Sequence, residues 1–274
     1  MKKFLMLLLL FITIASFGQT KLKGNKVISI QERELEYFNK IVVKDDIKVF
    51  LIGGTETEVN VETDENLQEV VNTTVTDGVL EIYISQPIAT SKALNVYVKV
   101  QENSNLTIET RDKSKVSTDA EIRLEWVVLN LFDKSQQVLN IKTLKSEITT
   151  SGSSTLELNL NSEESTILTS EDNSKMNLIL KTDSLSCKIS HSGSVKLVGN
   201  CKDINTVIQG NSKFNGKDLL ADNIILSANE KTDVSVNASK NLEISAENDA
   251  EIYIYDNPQI VIKKFADKAV LFKK

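Results

Sequence analysis

The chain has 274 residues, 41% of them hydrophobic, which is enough for a true core and excludes a disordered polypeptide. Aromatics make up only 5% and proline occurs twice, at Pro87 and Pro258, so the core is expected to consist of Leu, Ile and Val. The net charge of −6 opposes phosphate backbones and no basic patch with interleaved aromatics occurs, so nucleic acid is not an expected partner.

Lys2 and Lys3 precede an apolar run from Phe4 to Ile14 that only Thr13 interrupts. Ser16 and Gly18 then supply small residues at the −3 and −1 positions before Gln19. This is the pattern of a secretory signal peptide over residues 1–18. The run is shorter than the ~20 residues of a membrane span and no second such run is found, so no transmembrane anchor is expected; no cysteine stands directly after it, so a lipid anchor is not expected either. The remainder is expected to be exported, to the periplasm, the outer surface or the extracellular medium. Residues 19–34 read as an N-terminal arm.

Residues 35–108 alternate apolar and polar positions, as strands with one buried face do. Ile41, Val43, Ile47, Val49 and Leu51 carry the first alternation, and Gly53-Gly54 marks a turn. A short polar helix-like stretch runs from Glu65 to Val71. Asp77-Gly78 predicts a hairpin between Val75 and the strand Leu80–Ile84. This region is expected to cap the end of the repeats C-terminal to it, because exposed sheet ends need cover.

From residue 109 to 262 a polar triplet recurs: Asp112-Lys113-Ser114, Asp133-Lys134-Ser135, Gly152-Ser153-Ser154, Asp172-Asn173-Ser174, Ser192-Gly193-Ser194, Gly210-Asn211-Ser212, Glu230-Lys231-Thr232 and Asn248-Asp249-Ala250. Their third positions lie 18 to 21 residues apart. Between them apolar residues alternate: Met176, Leu178 and Leu180, then Leu185, Cys187 and Ile189; later Ile252 and Ile254, then Ile260 and Ile262. One such coil cannot bury its own apolar row, whereas stacked coils build parallel sheets around a continuous core. The fold class read from the residues is therefore all-β, a parallel β-helix or β-solenoid with coils of about 20 residues. Its competitor is an antiparallel sandwich, which gives no reason for a matching triplet in every repeat. Residues 263–274 read as a charged tail.

The residues that could carry chemistry are few. Asp112, Asp133 and Asp172 share one turn position and form a candidate Ca²⁺ edge; Lys113 and Lys134 adjoin two of them, so a neutralised, solvated turn edge is the alternative. His191 is the only histidine and stands in a turn whose counterparts lack one. Trp126, the only tryptophan, lies in the apolar segment Ile122–Leu131 and is the candidate ligand-binding residue, able to stack on a sugar ring, or else a core residue. Cys187 is expected opposite Thr206 and Cys201 near a corner, so the two do not stack and are not expected to pair. Asp183-Ser184-Leu185 resembles a short O-glycosylation signal. No catalytic residue, cofactor or transition-metal site is expected.

The opening Phe38-Asn-Lys-Ile41-Val-Val43 with Ile47-Lys-Val49 after it, the middle Val75-Thr-Asp-Gly78-Val-Leu80-Glu-Ile82, the repeated Ser-Gly-Ser turns and the close Glu251-Ile-Tyr253-Ile-Tyr255-Asp-Asn-Pro258 resemble the autotransporter-adhesin head GIN family of Bacteroidetes envelope proteins. The resemblance spans about residues 35 to 262. It implies a right-handed β-helix, a surface or periplasmic location and no catalytic residues. The expected function is a non-catalytic envelope protein with an adhesin-like binding surface, its partner a glycan or an envelope protein. The alternatives are a carbohydrate-active β-helix enzyme using turn carboxylates, and a structural or assembly module of the envelope.

Overall fold

The computed structural model describes residues 21–274; the predicted signal peptide lies outside them. The chain is almost entirely β and winds into a solenoid of about 9 turns with coils of about 19 residues. Six successive coils are nearly unbroken strand: Gln136–Thr150, Thr155–Ser170, Lys175–Ile189, Ser194–Ile208, Lys213–Ala228 and Asp233–Ala246. Each pairs in parallel with the next, residue against equivalent residue.

Within a coil the alternation runs along a first arm, flips at a far corner, and runs back along a second arm. In Gln136–Thr150 the buried positions are 137, 139, 141 and 143, then 146, 148 and 150; Leu144 and Lys145 form the exposed corner between them. Stacking converts these positions into columns. Leu139, Leu158, Leu178 and Leu197 form one column, all 4% exposed or less. Burying each leucine contributes about 1.5–3 kcal/mol, and no single coil could do so unaided. One column holds Leu180 and then Gly199. The backbone there adopts φ +126°, and a Cβ would land on the carbonyl oxygen of Leu180, so only glycine fits.

The near corner is the polar triplet. Its first residue has positive φ in coil after coil: Asp112, Asp133, Gly152, Asp172, His191, Gly210, Glu230, Asn248 and Asp267. Its third residue is a buried small side chain, and the hydroxyls of Ser114, Ser135, Ser154 and Ser212 donate back to the carbonyl three residues earlier at 2.6–2.8 Å. The carbonyls of Arg111, Phe132 and Ser151 also accept the backbone N–H of the same serine, so the hydroxyl adds a second bond that closes the turn. In the fifth turn the true triplet is His191-Ser192-Gly193, one residue earlier than the Ser192-Gly193-Ser194 expected from sequence. Ser194 already pairs with Lys175 as the first strand residue, and Gly193 takes the serine position, where a Cβ would crowd Ser170 and Ile189.

The N-terminal strands join the same stack out of sequence order. Lys40–Val43 pairs in parallel with Val79–Ile84 on one side and with Asn105–Thr110 on the other. Lys48–Gly54 likewise lies between Leu94–Gln101 and Lys115–Thr118. The earliest coil is thus inserted between two later ones. Beyond it, Glu58–Asp64 and Ile28–Arg33 add antiparallel strands to the first-arm sheet. Val71–Thr76 adds one to the second-arm sheet through the Asp77-Gly78 hairpin. A 3-10 helix, Glu65–Val70, plugs the end with buried Leu67, Gln68 and Val70.

Candidate binding surface

The turn edge was the first candidate from sequence, and the structure gives its carboxylates an internal use. Asp112 Oδ2 accepts the backbone N–H of Asp45 at 3.1 Å, Asp133 Oδ2 that of Asp112 at 3.0 Å, and Asp172 Oδ2 that of Gly152 at 3.0 Å. Each carboxylate reaches back one coil and satisfies the amide of its counterpart. Asp45, unnoticed in the sequence because it precedes the repeats, heads the row with the same positive φ and accepts the amide of Ile84 at 2.7 Å. Aspartate is favoured there because it tolerates the left-handed backbone while its side chain bonds locally. Among the described residues no group of three or more His, Cys, Asp and Glu side chains converges as a metal site. His191 is exposed in the same row, its Nδ1 4.0 Å from Asp172 Oδ1 and 3.4 Å from Ser190 Oγ.

The other singled-out residues lie apart from that edge. Trp126 opens the strand Trp126–Leu131 on the outer face, 46% exposed, in register between Asn105 and Lys145. It is neither core nor in contact with the aspartate row. Cys187 pairs in register with Thr206, as the coil alignment predicts, and Cys201 with Thr182 and Ala221. Both thiols are buried and free, and burial pushes each up to about 12. Ser184 is exposed at a far corner while Leu185 beside it is core.

A cleft of about 860 Å³ runs between the turn edge and residues 85–94, where Asp45, Asp46 and Asp112 face Lys21, Lys48, Lys92 and Lys113. Three carboxylates there stand against four lysines, and the Asp45 and Asp112 side chains are already bonded to backbone amides. A different surface lies on the outside of the first arms in four consecutive coils. A recess of about 540 Å³ is lined by Val138, Asn159, Asn177, Ile179, Lys196 and Val198. Ile179 is 61% exposed and Val138 50%, although each stands on a strand whose inward neighbours are fully packed. Asn159 Nδ2 donates to Asn140 Oδ1 at 3.1 Å, which fixes this pair of amides, from two adjacent coils, beside the apolar side chains. Apolar patches bordered by amides on a rigid sheet suit a ligand that offers both apolar and hydroxyl faces. Sequence reading assigns outward positions to solvent and so passes over this patch. Its signal is Val138, Ile179 and Val198, apolar at outward positions of the strands.

A family model described as "Putative auto-transporter adhesin, head GIN domain" matches residues 37–258. No curated protein matches the chain. Among solved structures, a protein from Parabacteroides distasonis described as a putative lipid binding protein aligns with a TM-score of 0.67 at 17% identity, covering 93% of this chain and 100% of its own. A putative adhesin from the same organism aligns at 0.68 with 16% identity over the same shares. A putative adhesin from Parabacteroides merdae aligns at 0.59 with 16% identity, covering 93% of this chain and 99% of that one. At these identities the likeness establishes the solenoid fold that all of them share.

Proposed function

Since the chain belongs to the auto-transporter adhesin head GIN domain family, we propose that it is an exported, non-catalytic binding module of the cell envelope. We place its ligand contacts on the outer face of the first arms around Val138, Ile179 and Val198. The observation that carries this reading is the placement of exposed isoleucine and valine beside aligned asparagines across adjacent coils. The sheet behind them is held by continuous backbone pairing, so binding there costs little ordering of the protein. The names given to the solved relatives, adhesin and lipid binding protein, are consistent with a binding surface. The alternative of hydrolysis by turn carboxylates loses support because Asp112, Asp133 and Asp172 each accept a backbone amide.

Residues 19–274 applied to an array of host and bacterial glycans, and to phospholipid vesicles, with and without Ca²⁺, are expected to give saturable binding that does not depend on Ca²⁺. Ile179→Asp is expected to weaken it at least about tenfold, since a charge would have to be desolvated against the ligand. Binding that is unaffected by Ile179→Asp but abolished by Trp126→Ala moves the site to the second-arm face. Turnover of a glycan that is lost in Asp172→Asn sinks the non-catalytic reading.

A further inference from the structure

The recess at Ile179 is one part of a longer trough. Val138 lines it and also lines a smaller recess of about 150 Å³ together with Lys48, Phe50, Lys115 and Gln136. The two recesses cross the first arms of six successive layers, from Lys48–Gly54 to Ser194–Ile208. One outward column runs their whole length through Phe50, Ser117, Val138, Glu157, Asn177 and Lys196, each in register with the next. At ~4.8 Å per layer the trough is about 24 Å long and lies along the solenoid axis. Its shape suits a chain rather than a single small molecule.

The two outer faces of the same coils differ in chemistry. In the four coils from Gln136–Thr150 to Ser194–Ile208, the outward positions of the first arms hold six carboxamides: Gln136, Asn140, Asn159, Asn161, Asn177 and Asn200. The outward positions of their second arms hold one, Asn205. Strands disfavour asparagine, so propensity does not account for the difference. Internal bonding does not either. Apart from the Asn159–Asn140 pair, the six amide side chains make no hydrogen bond among the described residues. On the second arms, by contrast, Asn223 donates to Asp203 and Asn241 to Asn223. Charge divides the faces as well. Lys48, Lys115, Lys175, Lys181 and Lys196 line or border the trough, all exposed and without an ion pair among the described residues. Lys142 is paired with Glu163. Glu157 is the one acid inside the trough. Asp46, Asp119 and Glu121 stand at its margins, the last paired with Arg123. The second arms of the four coils are balanced, with Lys145 and Lys188 against Glu147 and Asp203. The trough is therefore basic on a chain of net charge −6.

We propose, resting on the binding surface placed around Ile179 above, that its ligand is an acidic glycan of low charge density, a chain of sugars with scattered carboxylates laid along the trough. A carboxamide both donates and accepts, as a sugar hydroxyl does, so unpartnered amides in successive layers match the hydroxyls of successive sugars. Val138, Ile179 and Val198 meet the apolar faces of the rings. The lysines meet the carboxylates as point charges. They stand far apart: Lys175 and Lys181 lie six residues apart on one strand, about 20 Å. That spacing suits scattered carboxylates rather than a dense row of sulfates, and Glu157 in the floor opposes a ligand charged on every sugar. A bilayer is the poorer partner, because hydrocarbon would strip water from the amides and return no hydrogen bond. Being led in part by charge, binding weakens as salt rises.

The test is titration of residues 19–274 with hyaluronan and unsulfated chondroitin, whose uronates alternate with neutral sugars, in about 0.05 M and about 0.5 M salt. The comparison ligands are the same chains with their carboxylates reduced to alcohols, heparin, and phosphatidylglycerol vesicles. The wild type is expected to bind at least one uronate chain, several-fold more weakly in high salt, and to bind its reduced form at least about tenfold more weakly. Lys175→Gln with Lys181→Gln and Lys196→Gln is expected to weaken uronate binding about tenfold and to leave binding of the reduced chain unchanged. Glu157→Gln is expected to tighten uronate binding several-fold, a gain that a misfolded variant cannot produce. Circular dichroism checks the fold of each variant. Failure to bind either uronate chain overturns the proposal. So does a lysine variant that binds like the wild type, or tighter binding of heparin or of the vesicles than of both uronate chains. Native and reduced chains that bind alike, and are both lost in Ile179→Asp, leave the binding surface standing and remove its acidic ligand. Uronate binding that survives Ile179→Asp removes the surface itself, and the proposal with it.

Discussion

Asp64 shows what single residues do in this fold. It is buried where the N-terminal arm crosses the end of the first-arm sheet, and its carboxylate accepts the amides of Lys26 at 2.5 Å and Lys92 at 2.6 Å. Burial pushes its pKa upward, but the amides of Lys92 and Lys26 outweigh that and hold the group below the ordinary carboxylate range. A depressed folded pKa means the stabilisation is complete above the unfolded value of about 3.9 and is lost as pH falls through the folded value. Hydrogen exchange is expected to show the arm around Leu22–Val27 losing protection as the pH drops below about 4, before the coils do. Asp64→Asn is expected to bring that loss to neutral pH, because the amide NH₂ cannot accept from an N–H donor. Equal protection of arm and coils down to global acid unfolding would remove Asp64 from this role. Nothing in the sequence singles out this aspartate. Its partners are 38 and 28 residues away, and only the fold brings them together. The turn aspartates are different. Their spacing marks them from the sequence, yet the backbone amide each one serves is visible only once coils are stacked.

At the scale of the element, the coil is the unit, and its period was legible because alternation and polar triplets repeat. What one dimension hides is parity. The run Ile122–Leu131 looks like a single apolar strand, but Leu124 is buried while Glu125 and Trp126 are both exposed, so a corner divides it and the tryptophan faces outward. The fifth triplet slips by one residue for a related reason, since a glycine can stand in the serine column. Register makes a strong prediction. Deleting residues 175–193, one full coil from Lys175 to Gly193, joins equivalent positions. It is expected to leave a cooperatively folded solenoid, shortened by one layer of ~4.8 Å and less stable by roughly that coil's share. Deleting 175–183 sets second-arm residues against first arms and is expected to abolish folding. Circular dichroism melts and small-angle scattering distinguish the two. A half-coil deletion that melts like the full-coil one would refute the column description.

At the scale of the molecule, the solenoid itself was legible in the sequence, but the insertion of the first coil between two later ones was not. Local patterning reports which residues face inward. It does not report which strands are neighbours, and Lys40–Val43 finds Val79–Ile84 and Asn105–Thr110 across long stretches of chain. The uncovered last coil escapes sequence reading in the same way. Ile260 and Ile262 continue the alternation without a break, and only the missing neighbour makes them surface.

The inserted coil also sets how the molecule bears load. Under tension from the C-terminal end, coils have a free edge and can peel away one at a time, each releasing about 19 residues, on the order of 65 Å of extended chain. When peeling reaches Leu94–Gln101, that strand lies between Lys48–Gly54 and Glu58–Asp64, and Val79–Ile84 after it lies between Lys40–Val43 and Val71–Thr76, so neither has a free edge. A single molecule held in a force spectrometer should therefore yield a train of similar small steps and then one larger, stronger rupture. A first end that comes apart at the same force as the coils would mean that the interleaving adds no grip. Held at both ends, such a molecule would pay out length under drag while its N-terminal end holds fast.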